Sequence, residues 1–229
     1  MDFQDPSSFN LSSRRSFVGK LMATAGAAGL TVPALAGVDF NPKTKTVGEA
    51  EAWFENVKGK QRVVYDAPEH HAGFPFIWSW AFYMTNNQTG VADDDMTSMV
   101  VMRHNAIPFA LKDELWKKYK FGEMFKVTDN TTQAPAERNP YYEPKEGDYP
   151  LPGIDGIKAQ LSRGAMYCVC DLAMSVYSGA AAQAMGLDAE EVKKEWVAGV
   201  LPEVQVVPSG VWALGRAQQR DCAYIYAGG

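Results

Sequence analysis

The sequence predicts an α/β protein, a doubly wound, mainly parallel sheet of about five strands with helices on both faces. Three observations carry that expectation. Apolar, β-branched runs alternate with helical stretches along residues 60–229. The run Met96 to Arg103, centred on Met-Val-Val-Met, is apolar at consecutive positions, which suits a strand covered on both faces. Ala165-Met166-Tyr167-Cys168-Val169-Cys170 then passes directly into an Ala-rich helical stretch, the strand-to-helix handover of a βαβ unit.

Each element follows from its residues. Val47 to Val57 reads as a short helix after a polar lead-in. Gln61-Arg62-Val63-Val64-Tyr65-Asp66-Ala67, closed by Pro68, is the first core strand. Pro75 through Thr85 carries Phe76, Trp78, Trp80, Phe82 and Tyr83, so an all-round buried helix packed on the sheet is expected. Asp93-Asp94-Asp95 is a solvated turn, lacking the spaced ligands and terminal Glu of a calcium loop. Helix is expected from Asp113 to about Tyr119. Residues 133–153 hold Pro135, Pro140, Pro144, Pro150 and Pro152 with Tyr141, Tyr142 and Tyr149, a long arm or lid without regular structure. The helix after Cys170 runs from about Leu172 to Met185 and stops at Gly186. Asp188, with Glu191 three residues on, makes a capping box for a helix reaching about Val197. Val204 to Val207 is a strand, Pro208-Ser209-Gly210 a turn, Val211 to Arg220 a helix and Tyr224 to Ala227 the last strand.

The 229 residues suit one domain with appendages. Hydrophobic residues at 46% and charged residues at 21% exclude wholesale disorder. Lys+Arg of 22 against Asp+Glu of 27 gives net −5 and a pI near 5.3, without the basic face that nucleic-acid binding needs. Ser13-Arg14-Arg15-Ser16-Phe17-Val18-Gly19-Lys20 precedes an Ala/Gly-rich stretch ending in Ala34-Leu35-Ala36 and resembles a twin-arginine export signal cleaved after Ala36. The apolar run Leu21 to Ala36, broken by Gly26, Gly29 and Pro33, falls short of the ~20 residues of a spanning helix, so no permanent membrane span is expected. The expected organisation is therefore a signal over 1–36, a lead-in over 37–59 and an α/β domain over 60–229, placed in the periplasm.

Parallel sheets bind ligands at the carboxyl ends of their strands, and the candidate residues gather there. Cys170 stands where strand becomes helix, a place where backbone N–H groups and the helix dipole favour a thiolate. Asp171 opposes that charge, while Arg163, Arg216 or a histidine could offset it. The alternative is a small buried hydrophobe, the ordinary role of a strand cysteine. Cys168 and Cys170 share a strand face about 6.5–7 Å apart, too far for a disulfide without bending. Cys222 precedes the last strand, and its pairing with either is open. His70 and His71 follow the first strand and His104 the second, so with Glu69 they form a weak candidate metal set whose spacing matches no established zinc pattern. No glycine-rich phosphate loop, G-x-S-x-G, C-x-x-C, C-x-x-C-H or H-E-x-x-H occurs in the sequence.

Ala67-Pro68-Glu69-His70-His71-Ala72-Gly73, Val100-Val101-Met102-Arg103-His104-Asn105-Ala106-Ile107-Pro108 and Ala110-Leu111-Lys112-Asp113 resemble the DsrE/DsrF-like sulfur-relay fold. Tyr167-Cys168-Val169-Cys170-Asp171-Leu172-Ala173, Gly199-Val200, Val206-Val207-Pro208-Ser209-Gly210-Val211, Ala217-Gln218 and Tyr224-Ile225-Tyr226 look like exported members of that family. The resemblance covers about residues 60–228 through short motifs. It implies a homo- or hetero-oligomer that passes persulfide sulfur through Cys170, with Cys168 as the rival; Cys222, His104 and Arg163 are candidate auxiliary residues by their positions. The export signal, the proline-rich arm and the second strand cysteine depart from the family's sulfur carriers. Two alternatives stand beside the thiol carrier. One is a binding or assembly subunit docking a protein partner through the 133–153 arm, and the other is a metal protein using His70, His71 and His104.

Overall fold

The computed structural model describes residues 44–229; Arg14, Arg15 and the cleavage position after Ala36 lie outside the described residues. Five strands, β1 (Gln61–Ala67), β2 (Met96–Met102), β3 (Met166–Cys170), β4 (Gln205–Val207) and β5 (Ala223–Tyr226), form one open sheet in the order β4-β3-β2-β1-β5. Every pairing is parallel, so the sheet needs crossovers and is covered on both faces, as its apolar strands predict. All seven residues of β2 and all five of β3 are buried.

One face carries α2 (Phe74–Gln88), α3 (Asp113–Lys118), α4 (Phe121–Met124), α5 (Ile157–Ser162), α6 (Asp171–Met185) and α7 (Ala189–Ala198). Their core joins Tyr65, Val100, Tyr167 and Val169 from the sheet to Phe76, Phe109, Trp116 and Trp196. The opposite face carries α1 (Thr44–Phe54) and α8 (Gly210–Gln218), packed on Val64, Met99, Val101, Cys168 and Val207. Alternation along each strand divides the two cores, and consequently Cys168 lies on the α8 side.

Most boundaries follow the expected signals. Asp188 accepts a hydrogen bond from the Glu191 N–H at 3.0 Å, Ser209 caps α8 through the Trp212 N–H at 3.2 Å, and Gly186 ends α6 in a left-handed conformation. The first helix begins earlier than expected, at Thr44, and ends at Phe54. The aromatic helix α2 differs in burial. It buries only the stripe Pro75, Phe76, Ser79 and Tyr83, while Trp78, Trp80 and Phe82 are half-buried, because a single face of the helix meets the sheet.

The 133–153 segment lacks helix and strand, as its prolines predict, but it folds back onto the domain. Tyr141 stacks on Tyr149 at 5.1 Å between ring centroids and packs on Phe76 and Phe109. Asn139 donates to the Phe109 carbonyl at 2.8 Å. Arg138 holds Asp148 through two bonds of 2.9 and 2.8 Å, and Asp129 at 3.2 Å. Of the arm's three tyrosines, Tyr141 and Tyr149 are buried and Tyr142 is half-buried, and the arm closes over the α2 side of the core. It sits tight at Gly122, where a Cβ would lie 2.2 Å from the Ala136 backbone nitrogen.

Candidate functional site

The parallel register brings the carboxyl ends of all five strands to one edge, where Asp66, Arg103, Cys170, Ser209 and Tyr226 emerge. Asp66 is 2% exposed and is a charged residue inside an apolar strand. Burial of a carboxylate requires donors, and three converge on it. Arg103 forks onto it with Nε at 2.6 Å and Nη2 at 3.0 Å, and the Tyr224 hydroxyl donates at 2.8 Å. The hydrogen bonds to Asp66 raise the Arg103 pKa, so the cation is fixed. They raise that of Tyr224 too.

Cys170 stands beside this pair, in a cradle made by two helices. It is itself the N-cap of α6, its Sγ accepting from the Ala173 N–H at 3.3 Å. The backbone N–H groups of Gly210, the first residue of α8, and of Leu172 also reach the sulfur. Burial pushes the thiol pKa up, and these three N–H groups pull it back. Gly210 is required by crowding: a Cβ there would sit 2.8 Å from Cβ and Cδ of Arg103. Asp171 opposes a thiolate, as expected, but its carboxylate is paired with Lys193 of α7. Exposed Leu172 and Val211, in the first turns of α6 and α8, give the cradle an apolar rim.

The other anticipated partners lie elsewhere. Arg163 precedes β3 at the opposite edge of the sheet, bonded to Asp93, Asp155 and Asn87, and stacked over Tyr83 at 4.8 Å. It cannot serve Cys170, because the residues before a parallel strand emerge at the other end. Arg216 pairs with Glu51 at 2.7 Å and lies over Trp212. Cys222 is buried before β5, also at the amino edge. All three cysteines are free thiols. Cys168 is fully buried among apolar side chains, and that burial raises its pKa strongly, the state of an inert core thiol.

The histidines share the carboxyl edge but diverge. His70 packs on Phe109 and accepts from the Ala72 N–H at 3.3 Å. Burial lowers its pKa, against an opposing pull from Glu69. His71 packs on Phe74 and Trp78, its Nδ1 buried without a partner. His104, exposed, turns Nδ1 onto the Tyr177 hydroxyl at 2.6 Å. Among the described residues no group of three or more His, Cys, Asp or Glu side chains is placed to hold a metal. Glu69 instead receives both hydrogen bonds of the Asn105 amide, at 3.0 and 2.9 Å.

Sequence reasoning missed Asp66, Arg103, Asn105 and Tyr177 as site residues. Asp66 carried a readable signal, a charge in an otherwise buried strand, and Arg103 follows β2 directly, with Asn105 two residues beyond it. Tyr177 gave none, being one aromatic in an apolar helix.

No family model and no curated protein matches the chain. A solved structure similar to it is that of a protein of unknown function, MTH1491, from Methanobacterium thermoautotrophicum, 17% identical, covering 73% of this chain and 100% of that one with a TM-score of 0.38. The function is therefore read from the site.

Proposed function

We propose that the protein is an exported thiol protein of the DsrE-like kind that carries sulfur as a persulfide on Cys170, working in the periplasm. The observation that supports this reading best is the convergence of the Leu172, Ala173 and Gly210 N–H groups on one sulfur. Such donors suit an anion, and a persulfide anion is a weaker base than a thiolate. Burial disfavours charge on Sγ itself, but a carried sulfur moves the charge one S–S bond of about 2 Å further from Sγ. Arg103, whose cation an ionised Cys170 further favours, supplies positive charge beside the cradle. The apolar rim of Leu172 and Val211 would shield the carried sulfur from water. The twin-arginine-like signal supports export of the chain already folded.

The test is mass spectrometry of the protein after exposure to inorganic polysulfide, without reductant. One added sulfur is expected on Cys170 and none on Cys168 or Cys222. Cys168→Ala should load as the natural chain does and Cys170→Ser should not. Full loading of Cys170→Ser would end the proposal.

A further inference from the structure

Four side chains at the carboxyl edge form one chain of hydrogen bonds whose direction is set by counting protons. The Glu69 carboxylate only accepts, so the Asn105 amide turns its NH2 toward Glu69 and its Oδ1 toward Tyr177. The Tyr177 hydroxyl gives its one proton to that Oδ1 at 2.8 Å. Burial and the charge of Glu69 push the Tyr177 pKa up to about 12, so the hydroxyl keeps its proton. Its oxygen can then only accept from His104, 2.6 Å away, which places the ring proton on Nδ1. Nε2 of the neutral ring is left with its lone pair, and among the described residues nothing hydrogen-bonds to it. His104 also holds a left-handed backbone, φ +53°, which a non-glycine residue adopts at a cost. It stands two residues past the end of β2, and Met102 pairs with Val169, the neighbour of Cys170, so the His104 loop and Cys170 leave adjacent strands at one edge.

We propose that His104 Nε2 is a preset proton acceptor for the thiol that takes sulfur from Cys170, with Tyr177, Asn105 and Glu69 as positioning residues. This rests on the persulfide reading above and adds the chemistry of delivery. An acceptor thiol R–SH gives its proton to Nε2, and the resulting R–S⁻ attacks the outer sulfur of the persulfide in its protonated form, Cys170–S–SH, which the carried anion reaches by taking up a proton from solvent. The new S–S bond forms as the bond between the outer sulfur and Sγ breaks. The electron pair stays on Sγ, which takes the proton back from the imidazolium. The products are R–S–SH and the Cys170 thiol, and no oxidant or reductant is consumed.

The experiment has two readouts on the full protein. In ¹⁵N-imidazole NMR at a pH where the ring is neutral, the His104 signal, assigned by its loss in His104→Gln, is expected as the Nδ1–H form. In Tyr177→Phe it should shift toward the Nε2–H form. With protein preloaded by polysulfide and glutathione as acceptor, His104→Gln should slow transfer about a hundredfold while loading stays intact. Tyr177→Phe should slow transfer by a smaller factor, and the double variant should be no slower than His104→Gln alone. An Nε2–H ring in the natural chain, or His104→Gln transferring at the natural rate from a loaded Cys170, overturns the inference and leaves the persulfide reading standing. Failure of Cys170 to load removes that reading, and the delivery step falls with it.

Discussion

The two edges of the sheet use the same ingredients to opposite ends. At the amino edge, Arg163 pairs with Asp93 at 3.0 Å and Lys58 with Asp94 at 2.8 Å, and the carboxylates are 34% and 94% exposed. At the carboxyl edge, Arg103 pairs with an Asp66 whose side chain is 3% exposed. The left-handed residues differ too. Asp221 at the amino edge and His71 and His104 at the carboxyl edge are types that tolerate the conformation, whereas Ala72, also at the carboxyl edge, is held there by its surroundings. The carboxylates of the amino edge satisfy part of their charge with solvent. The carboxyl edge keeps buried charge, a capped thiol and strained loops together, the investment expected of a functional end.

The sharpest way to break this comparison is to remove one carboxylate at each edge. Asp66→Asn leaves the Arg103 cation, a quarter exposed, without its countercharge, and should destabilise the fold by about 3 kcal/mol in urea unfolding. Asp93→Asn removes a solvated partner and should change stability by less than about 1 kcal/mol. Equal effects would show that the carboxyl edge is no more demanding than the other.

A smaller effect sharpens the account of what supports that edge. The 133–153 arm packs Tyr141 against Phe76 and Phe109, and Phe109 in turn meets His70. Gly122→Ala places a methyl group against the Ala136 backbone, which has nowhere to retreat without lifting the arm. A loss of about 2 kcal/mol is expected, with faster proteolysis between residues 133 and 153. An unchanged urea midpoint and unchanged cleavage would mean that the arm is not part of the core.

How far each feature was legible follows from whether its cause is local. The β1 run Gln61–Ala67, the Asp188 cap and the Gly186 stop rest on periodicity and on side chains a few residues apart, and they stand where the sequence places them. Cys170 was legible as a strand-to-helix residue, since that too is local. Its neighbours were not. Arg163 was a sensible partner by sequence distance, yet strand direction sends it to the far edge, while Arg103 and Lys193 arrive from other elements. The arm's tyrosines looked available because composition reports the absence of regular structure and says nothing about burial. Four-residue α4 is too short to show a helical period, and packing rather than propensity fixes it.

The weakest of these effects concerns acid. Hydrogen bonds from Arg163 hold the Asp93 carboxyl below its usual range, those from the Thr132 and Thr131 N–H groups do so for Asp129, and Lys118 and Tyr119 do so for Glu195. A carboxyl whose folded pKa is depressed adds stability above its unfolded value, about 3.9 for Asp and 4.3 for Glu, and loses it as pH falls through the folded value. Stability should therefore hold level down to about pH 5 and decline below about pH 4. Asp93 and Glu195 are about one-third exposed, so solvent screening keeps each share small. Asp129, at 10% side-chain exposure and bonded to the Arg138 that anchors the arm, should give the largest share of the three. Asp129→Asn should accordingly flatten the acid limb of a Tm-against-pH curve more than Asp93→Asn does. The reverse order would mean that the solvated pairs of the amino edge, and not the buried anchor of the arm, set the acid sensitivity of the fold.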